Sequence, residues 1–134
     1  MAQARTVAMN PPQVAAPIRP YYSNCVKVMA GPLLFVSGQV ALDREGKLVG
    51  KGDVKAQAVQ VLENIKAILE ANGASMQDVI KVTVFVTDIR HFQELTEVRT
   101  RYFPKDGPAS TMVEVSKLAL PDLLIEIDAI AAVS

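Results

Sequence analysis

Gly107-Pro-Ala-Ser-Thr-Met-Val-Glu-Val-Ser-Lys-Leu-Ala-Leu-Pro-Asp-Leu-Leu-Ile-Glu-Ile-Asp-Ala-Ile-Ala131 is the stretch whose reading decides the fold. It holds two strand-like runs, Ser110–Lys117 and Leu123–Val133, separated by a break at Leu120-Pro121-Asp122. Side chains alternate along a strand, so the second run sets Leu124, Glu126 and Asp128 on one face and Ile125, Ile127 and Ala129 on the other. A carboxylate in the middle of an apolar strand is costly unless it is paired, hydrated or used. Chemistry is therefore expected to gather near Glu126, with Asp128 roughly 7 Å further along the same face. The competing reading is a solvated seam, or an ion pair with a Lys or Arg.

Upstream, Val79–Thr87 alternates as a strand with one apolar face, with Ile80, Val82, Val84 and Val86 against Lys81, Thr83, Phe85 and Thr87. Asp88 can cap a following helix whose stripe is Phe92, Leu95, Val98 and Tyr102. Before this strand, Asp53 caps a longer helix. Its Val54, Ala58, Val61, Leu62, Ile65, Ile68 and Leu69 recur every three or four residues, with Lys55, Gln57, Gln60, Glu63 and Asn64 filling the remaining positions. Asn72-Gly73 ends it. Tyr21–Val28 and Leu33–Ser37, joined by a Gly31-Pro32 turn, read as a hairpin whose second strand is buried. Pro11, Pro12, Pro17 and Pro20 break the start of the chain, so residues 1–13 are expected as a flexible tail and 14–134 as one domain.

The resulting order, β-β-α-β-α-β-β, predicts an α/β (α+β) fold: a mixed sheet with two helices on one face. Strands 33–36, 80–86 and 123–130 are apolar on both sides, and no helix remains for the second face. That predicts a homo-oligomer.

At 134 residues the chain fits one domain with an aliphatic core, since half of it is hydrophobic and Trp is absent. Fourteen basic residues balance fourteen acidic ones, which argues against a nucleic-acid surface. Cys25 is the one cysteine and fits a reducing compartment. No window approaches the ~18 apolar residues of a membrane span, and Met1–Pro12 lacks the apolar core of a secretory signal, so a soluble cytoplasmic protein is expected. The single His91 has no partner for a metal. Cys25 lacks a base to activate it, and neither a phosphate loop nor a nucleophile elbow occurs. Ser37-Gly38, ending a strand, and Pro108-Ala109-Ser110-Thr111, with its backbone N–H groups and hydroxyls, can meet a ligand. Pattern alone makes both no more than strand ends.

Several ordered blocks resemble the RidA/YjgF family. They are Phe35-Val36-Ser37-Gly38-Gln39-Val40, Gln57 with Leu62-Glu63-Asn64-Ile65, and Asp78–Asp88. Pro108-Ala109, Val113-Glu114-Val115 and Ile125–Ala131 continue the match, which spans residues 20–132. The resemblance implies a chorismate-mutase-like fold and a homotrimer around a barrel-like core, with ligand clefts between subunits. It also implies hydrolysis of reactive enamines and imines without metal or cofactor. Carried over, Glu126 is the catalytic residue that positions the attacking water. Tyr22 (with Tyr21 as a rival), Ser37, Gly38, Ala109, Ser110 and Met112 line the cleft.

One position departs from the pattern. Where the family's deaminases have Pro-Ala-Arg, this chain has Pro108-Ala109-Ser110, and a serine cannot supply a bidentate, charge-assisted grip on a carboxylate. The expected substrate is therefore an imine other than the usual carboxylate-bearing ones, unless Arg19, Arg99 or Arg101 reaches the cleft. A non-catalytic small-molecule binder is the alternative. A ribonuclease finds no support in the neutral charge and lone histidine.

Overall fold

The longest amphipathic segment forms as its spacing dictates. In the computed structural model, which describes residues 5–133, α1 (Val54–Ala71) opens where the Asp53 carboxylate accepts the Ala56 N–H at 3.1 Å and closes at Asn72, followed by Gly73 at φ +71°. Val54, Ala58, Val61, Leu62, Ile65 and Leu69 are buried. Each larger aliphatic among them contributes roughly 1.5–3 kcal/mol by leaving water.

Around α1 the chain runs β1 (Thr6–Met9), β2 (Cys25–Val28) and β3 (Leu33–Val40) before it. After it come β4 (Val79–Val86), α2 (Phe92–Tyr102), β5 (Ala109–Glu114) and β6 (Ile125–Ala132). Single 3₁₀ turns at Met76–Asp78 and Ile89–His91 lead into β4 and α2. One sheet has the order β3-β6-β4-β5. β6 is antiparallel to both neighbours, and β5 is parallel to β4 through the α2 crossover, so the sheet is mixed. The two strand runs of the opening stretch are not neighbours, because β4 lies between them.

Register assigns the faces. Val82, Val84 and Val86 of β4, Ile125, Ile127 and Ala129 of β6, and Val36 of β3 are buried against α1 and the Leu95 and Val98 side of α2. The other face carries Phe35, Lys81, Thr83, Phe85, Glu126, Asp128 and Ile130. This open face mixes apolar and polar residues and is less uniformly apolar than the sequence suggests.

Three expectations need correction. The hairpin of Tyr21–Val28 with Leu33–Ser37 does not form: β2 pairs antiparallel with β1, and β3 pairs with β6. Thr6–Met9 therefore departs from the expected tail. Its alternating Thr-Val-Ala-Met suits a strand, and Pro11 and Pro12 end it rather than prevent it. Residues 1–4 lie outside the described residues. Finally, β3 is an edge strand and not a buried one, with Leu33 48% and Phe35 70% exposed.

Two polar side chains brace the fold from inside. Gln57, expected on the polar side of α1, is fully buried. Its Nε2 donates to the Gly50 and Asp122 carbonyls at 3.1 and 2.9 Å, while its Oε1 accepts the Leu124 N–H at 2.8 Å. Asn64 Nδ2 donates to the carbonyls of Val40 and Leu42 at 3.2 and 3.0 Å, holding the end of β3. Together they fix the entrance to β6 and the exit of β3, the two strands that carry Glu126 and Gly38.

Candidate functional site

On the open face, Glu126 stands between Val40 of β3 and Phe85 of β4. The register steps from Val36↔Ala129 to Gln39↔Ile127, three residues on β3 against two on β6, so Ser37-Gly38 forms a bulge beside it. Bulges re-aim side chains, and here the bulge clears space. A Cβ on Gly38 would lie 2.9 Å from Glu126 Cδ, 3.1 Å from its Cγ and closer still to Oε2. The half-buried carboxylate lies over the gap that glycine leaves, with the exposed Ser37 adjoining it. Asp128 is committed elsewhere, since its carboxylate accepts the Thr83 N–H at 3.2 Å.

On the helix-bearing face, a cavity of about 320 Å³ is lined by Tyr21, Tyr22, Phe92, Arg99, Ser110 and Met112, with Ile18 at its edge. Parallel register places Ser110 beside Val82 and Met112 beside Val84, both on the helix side. Gly107 brings the tyrosines there: a Cβ on it would overlap the Tyr21 carbonyl and come within 2.7 Å of the Tyr22 N. The Ser23 N–H then donates to the Pro108 carbonyl at 3.1 Å, and Ser23 bridges Ala109. Ala109 thus contributes backbone that anchors the tyrosine segment. Tyr21 and Tyr22 both line the cavity, their ring centroids 5.8 Å apart. The Tyr22 hydroxyl accepts the Ile18 N–H at 3.3 Å.

Arg99 dominates this cavity. It is 3% exposed, its Nη2 donates to Ser110 Oγ at 2.6 Å, and its Cζ sits 4.4 Å from the Tyr21 ring centroid. Burial pulls its pKa down to about 10, partly offset by Tyr21. No carboxylate of the described residues lies within ion-pair distance of it. Arg101 is exposed, and Arg19 is half-buried with its Nη1 on the Ile18 carbonyl at 3.0 Å. Sequence reasoning left the three arginines open, yet a signal was present. Residue 99 falls four after Leu95 and next to Val98, on the inward stripe of α2.

The expected site residues therefore fall into two groups within one chain. Glu126, Ser37 and Gly38 occupy the open face, while Tyr22, Ser110 and Met112 occupy the helix face with Arg99. The sheet separates them.

Comparison with known proteins agrees with this architecture. The family model described as Endoribonuclease L-PSP matches residues 13–133. A RutC family protein of Pyrococcus horikoshii is 52% identical over 115 residues, covering 86% of this chain and 88% of that one. The crystal structure of a conserved Rid family protein of unknown function, YyfB from Yersinia pestis, superposes with a TM-score of 0.91 at 32% identity, covering 97% of this chain and all of that one. RidA from an Antarctic Psychrobacter superposes with a TM-score of 0.71 at 38% identity, covering 89% and 94% of the two chains. With sheet order, helix placement and the match over residues 13–133 in accord, the chain belongs to the RidA/YjgF/L-PSP (RutC) family.

Proposed function

We propose that this protein hydrolyses an enamine or imine, with water positioned by Glu126, in clefts formed between the copies of a homotrimer. The observation that carries the reading is the Glu126 carboxylate lying over the space left by Gly38 on an uncovered sheet face. A carboxylate so placed can accept a hydrogen bond from water and take its proton as the water oxygen attacks the imine carbon. The carbinolamine that results breaks its C–N bond as the nitrogen is protonated, giving a carbonyl compound and ammonia. Water is the only co-reactant in this scheme.

The division of candidate residues between two faces supports an intersubunit cleft. One copy would present Glu126, Ser37 and Gly38, and its neighbour Tyr22, Ser110 and Met112. Phe35, 70% exposed on the same face as Glu126, is the kind of residue such a contact would cover. The nucleolytic activity named in the family model is less well supported. The one histidine, His91, hydrogen-bonds Glu94 at 3.0 Å where α2 begins, and the charge is balanced.

The test is to generate imines in situ, 2-iminopropionate and uncharged ones alike, and follow ammonia release with and without the protein. Acceleration lost in Glu126→Gln is the expected result. No acceleration over buffer with any imine would contradict hydrolysis. A ligand that raises Tm yet is not consumed would then favour a binding protein.

A further inference from the structure

We infer that the Arg99 guanidinium, together with the Ser110 hydroxyl it hydrogen-bonds, binds the carboxylate of a small 2-imino or 2-oxo acid. This rests on reading the Tyr21–Met112 cavity as part of the ligand cleft, though not on the hydrolysis itself. It reverses the substrate class that Ser110 alone suggests, because the missing guanidinium is supplied from α2.

A buried cation without a counter-charge is costly. Among the described residues, Arg99 has only a serine hydroxyl and an aromatic face for company. A purely structural arginine this deep would ordinarily be met by a carboxylate of its own chain. Here an incoming anion would take that place, the neighbouring copy's Glu126 being engaged with the attacking water. The geometry provides a pair of donors. Because Ser110 Oγ accepts from Arg99 Nη2, its own O–H is free to donate to a second oxygen. An N–H from the guanidinium and the O–H from the serine can then meet the two oxygens of one carboxylate.

The stacking of Arg99 on Tyr21 holds the planar fork in place, which a lysine could not reproduce. The cavity, about 320 Å³ and walled otherwise by Tyr22, Phe92 and Met112, suits a short organic acid. A phosphate dianion would leave one of its charges unmatched by this single guanidinium. Serine at 110 also follows from the arrangement, since an arginine there would set a second guanidinium against the first.

The experiment is calorimetric titration of 2-oxobutyrate, with 2-butanone and inorganic phosphate as controls, into the native protein and its variants. Arg99→Leu should weaken 2-oxobutyrate binding at least thirtyfold and Arg99→Lys less, with weak 2-butanone and phosphate binding unchanged throughout. Ser110→Asp gives Arg99 an internal counter-ion, so it should abolish 2-oxobutyrate binding while raising Tm. That variant keeps the test decisive if Arg99→Leu fails to fold. An unchanged Kd in folded Arg99→Leu or in Ser110→Asp would overturn the inference, as would tighter binding of phosphate than of 2-oxobutyrate or no binding by the native protein. Arg99-dependent binding without imine turnover would sink the hydrolase reading alone. Imine turnover indifferent to Arg99 would sink this inference alone.

Discussion

Adding one methyl group at Gly38 separates stability from activity. Gly38 is not among the glycines with positive φ, so alanine suits its backbone. The new Cβ would nonetheless sit 2.9 Å from Glu126 Cδ, and what must move is the end of a flexible side chain, not backbone. Pushing a Glu126 torsion about 30° off its staggered well costs about 0.5–1.5 kcal/mol. The mid-strand position of Gly38 offsets part of this, since alanine orders more cheaply than glycine by roughly 0.5–1 kcal/mol. The net change in stability should therefore stay within about 1 kcal/mol.

Catalysis should respond far more. Displacing a reacting group by about an ångström can cost 10²-fold in rate, and Gly38→Ala moves the Glu126 carboxylate by at least that much. The assay pairs urea denaturation with ammonia release from an imine generated in situ. The expected result is an unfolding midpoint close to native and a kcat lower by about two orders of magnitude. An unchanged kcat in the folded variant would refute the role given to the carboxylate over Gly38. A large loss of stability would show that the clash is taken up by the strands.

Other consequences follow from particular contacts. Gln57→Leu removes three buried hydrogen bonds at once and should destabilise by about 3 kcal/mol or more in urea melts, with an unaltered m-value. The Arg90 guanidinium and N–H hold the Asp88 carboxyl down to about 2, below its ordinary 3.8. Its contribution is complete above about pH 4 and fades as pH falls through about 2. Asp88→Asn should flatten that part of the acid-stability profile, read from melting curves at stepped pH. Phe35→Asp places a charge on the open face and leaves the helix-side core intact, so sedimentation should show smaller species at micromolar concentration with unchanged helical circular dichroism.

What could be read from sequence divides along physical lines. The longer helix was plain because eighteen residues repeat one period between a carboxylate cap and an Asn-Gly stop. Thr6–Met9 was hidden because four prolines nearby outweigh a four-residue strand, whose partner lies nineteen residues away. Gln57 was misjudged and Arg99 left unplaced for a shared reason. Polar residues on an inward stripe count as surface until their partners are known, and those partners, Asp122, Leu124 and Ser110, come from distant segments. Glu126 stood out from strand alternation and the cost of burying charge. That Ser110 faces away from it was not legible, because the parallel β4–β5 register sets the face of Ser110 and no local pattern encodes that register.

The central claim, a site completed by two copies, is tested most directly by subunit complementation. Glu126→Gln and Arg99→Leu chains, each inactive alone toward a carboxylate imine, are refolded together and mixed trimers verified by native mass spectrometry. If Glu126 and Arg99 act in one cleft from different chains, random mixing rebuilds about a quarter of the clefts, and activity should return to about that fraction of native. Activity no higher than that of either variant alone, with mixed trimers present, would contradict it.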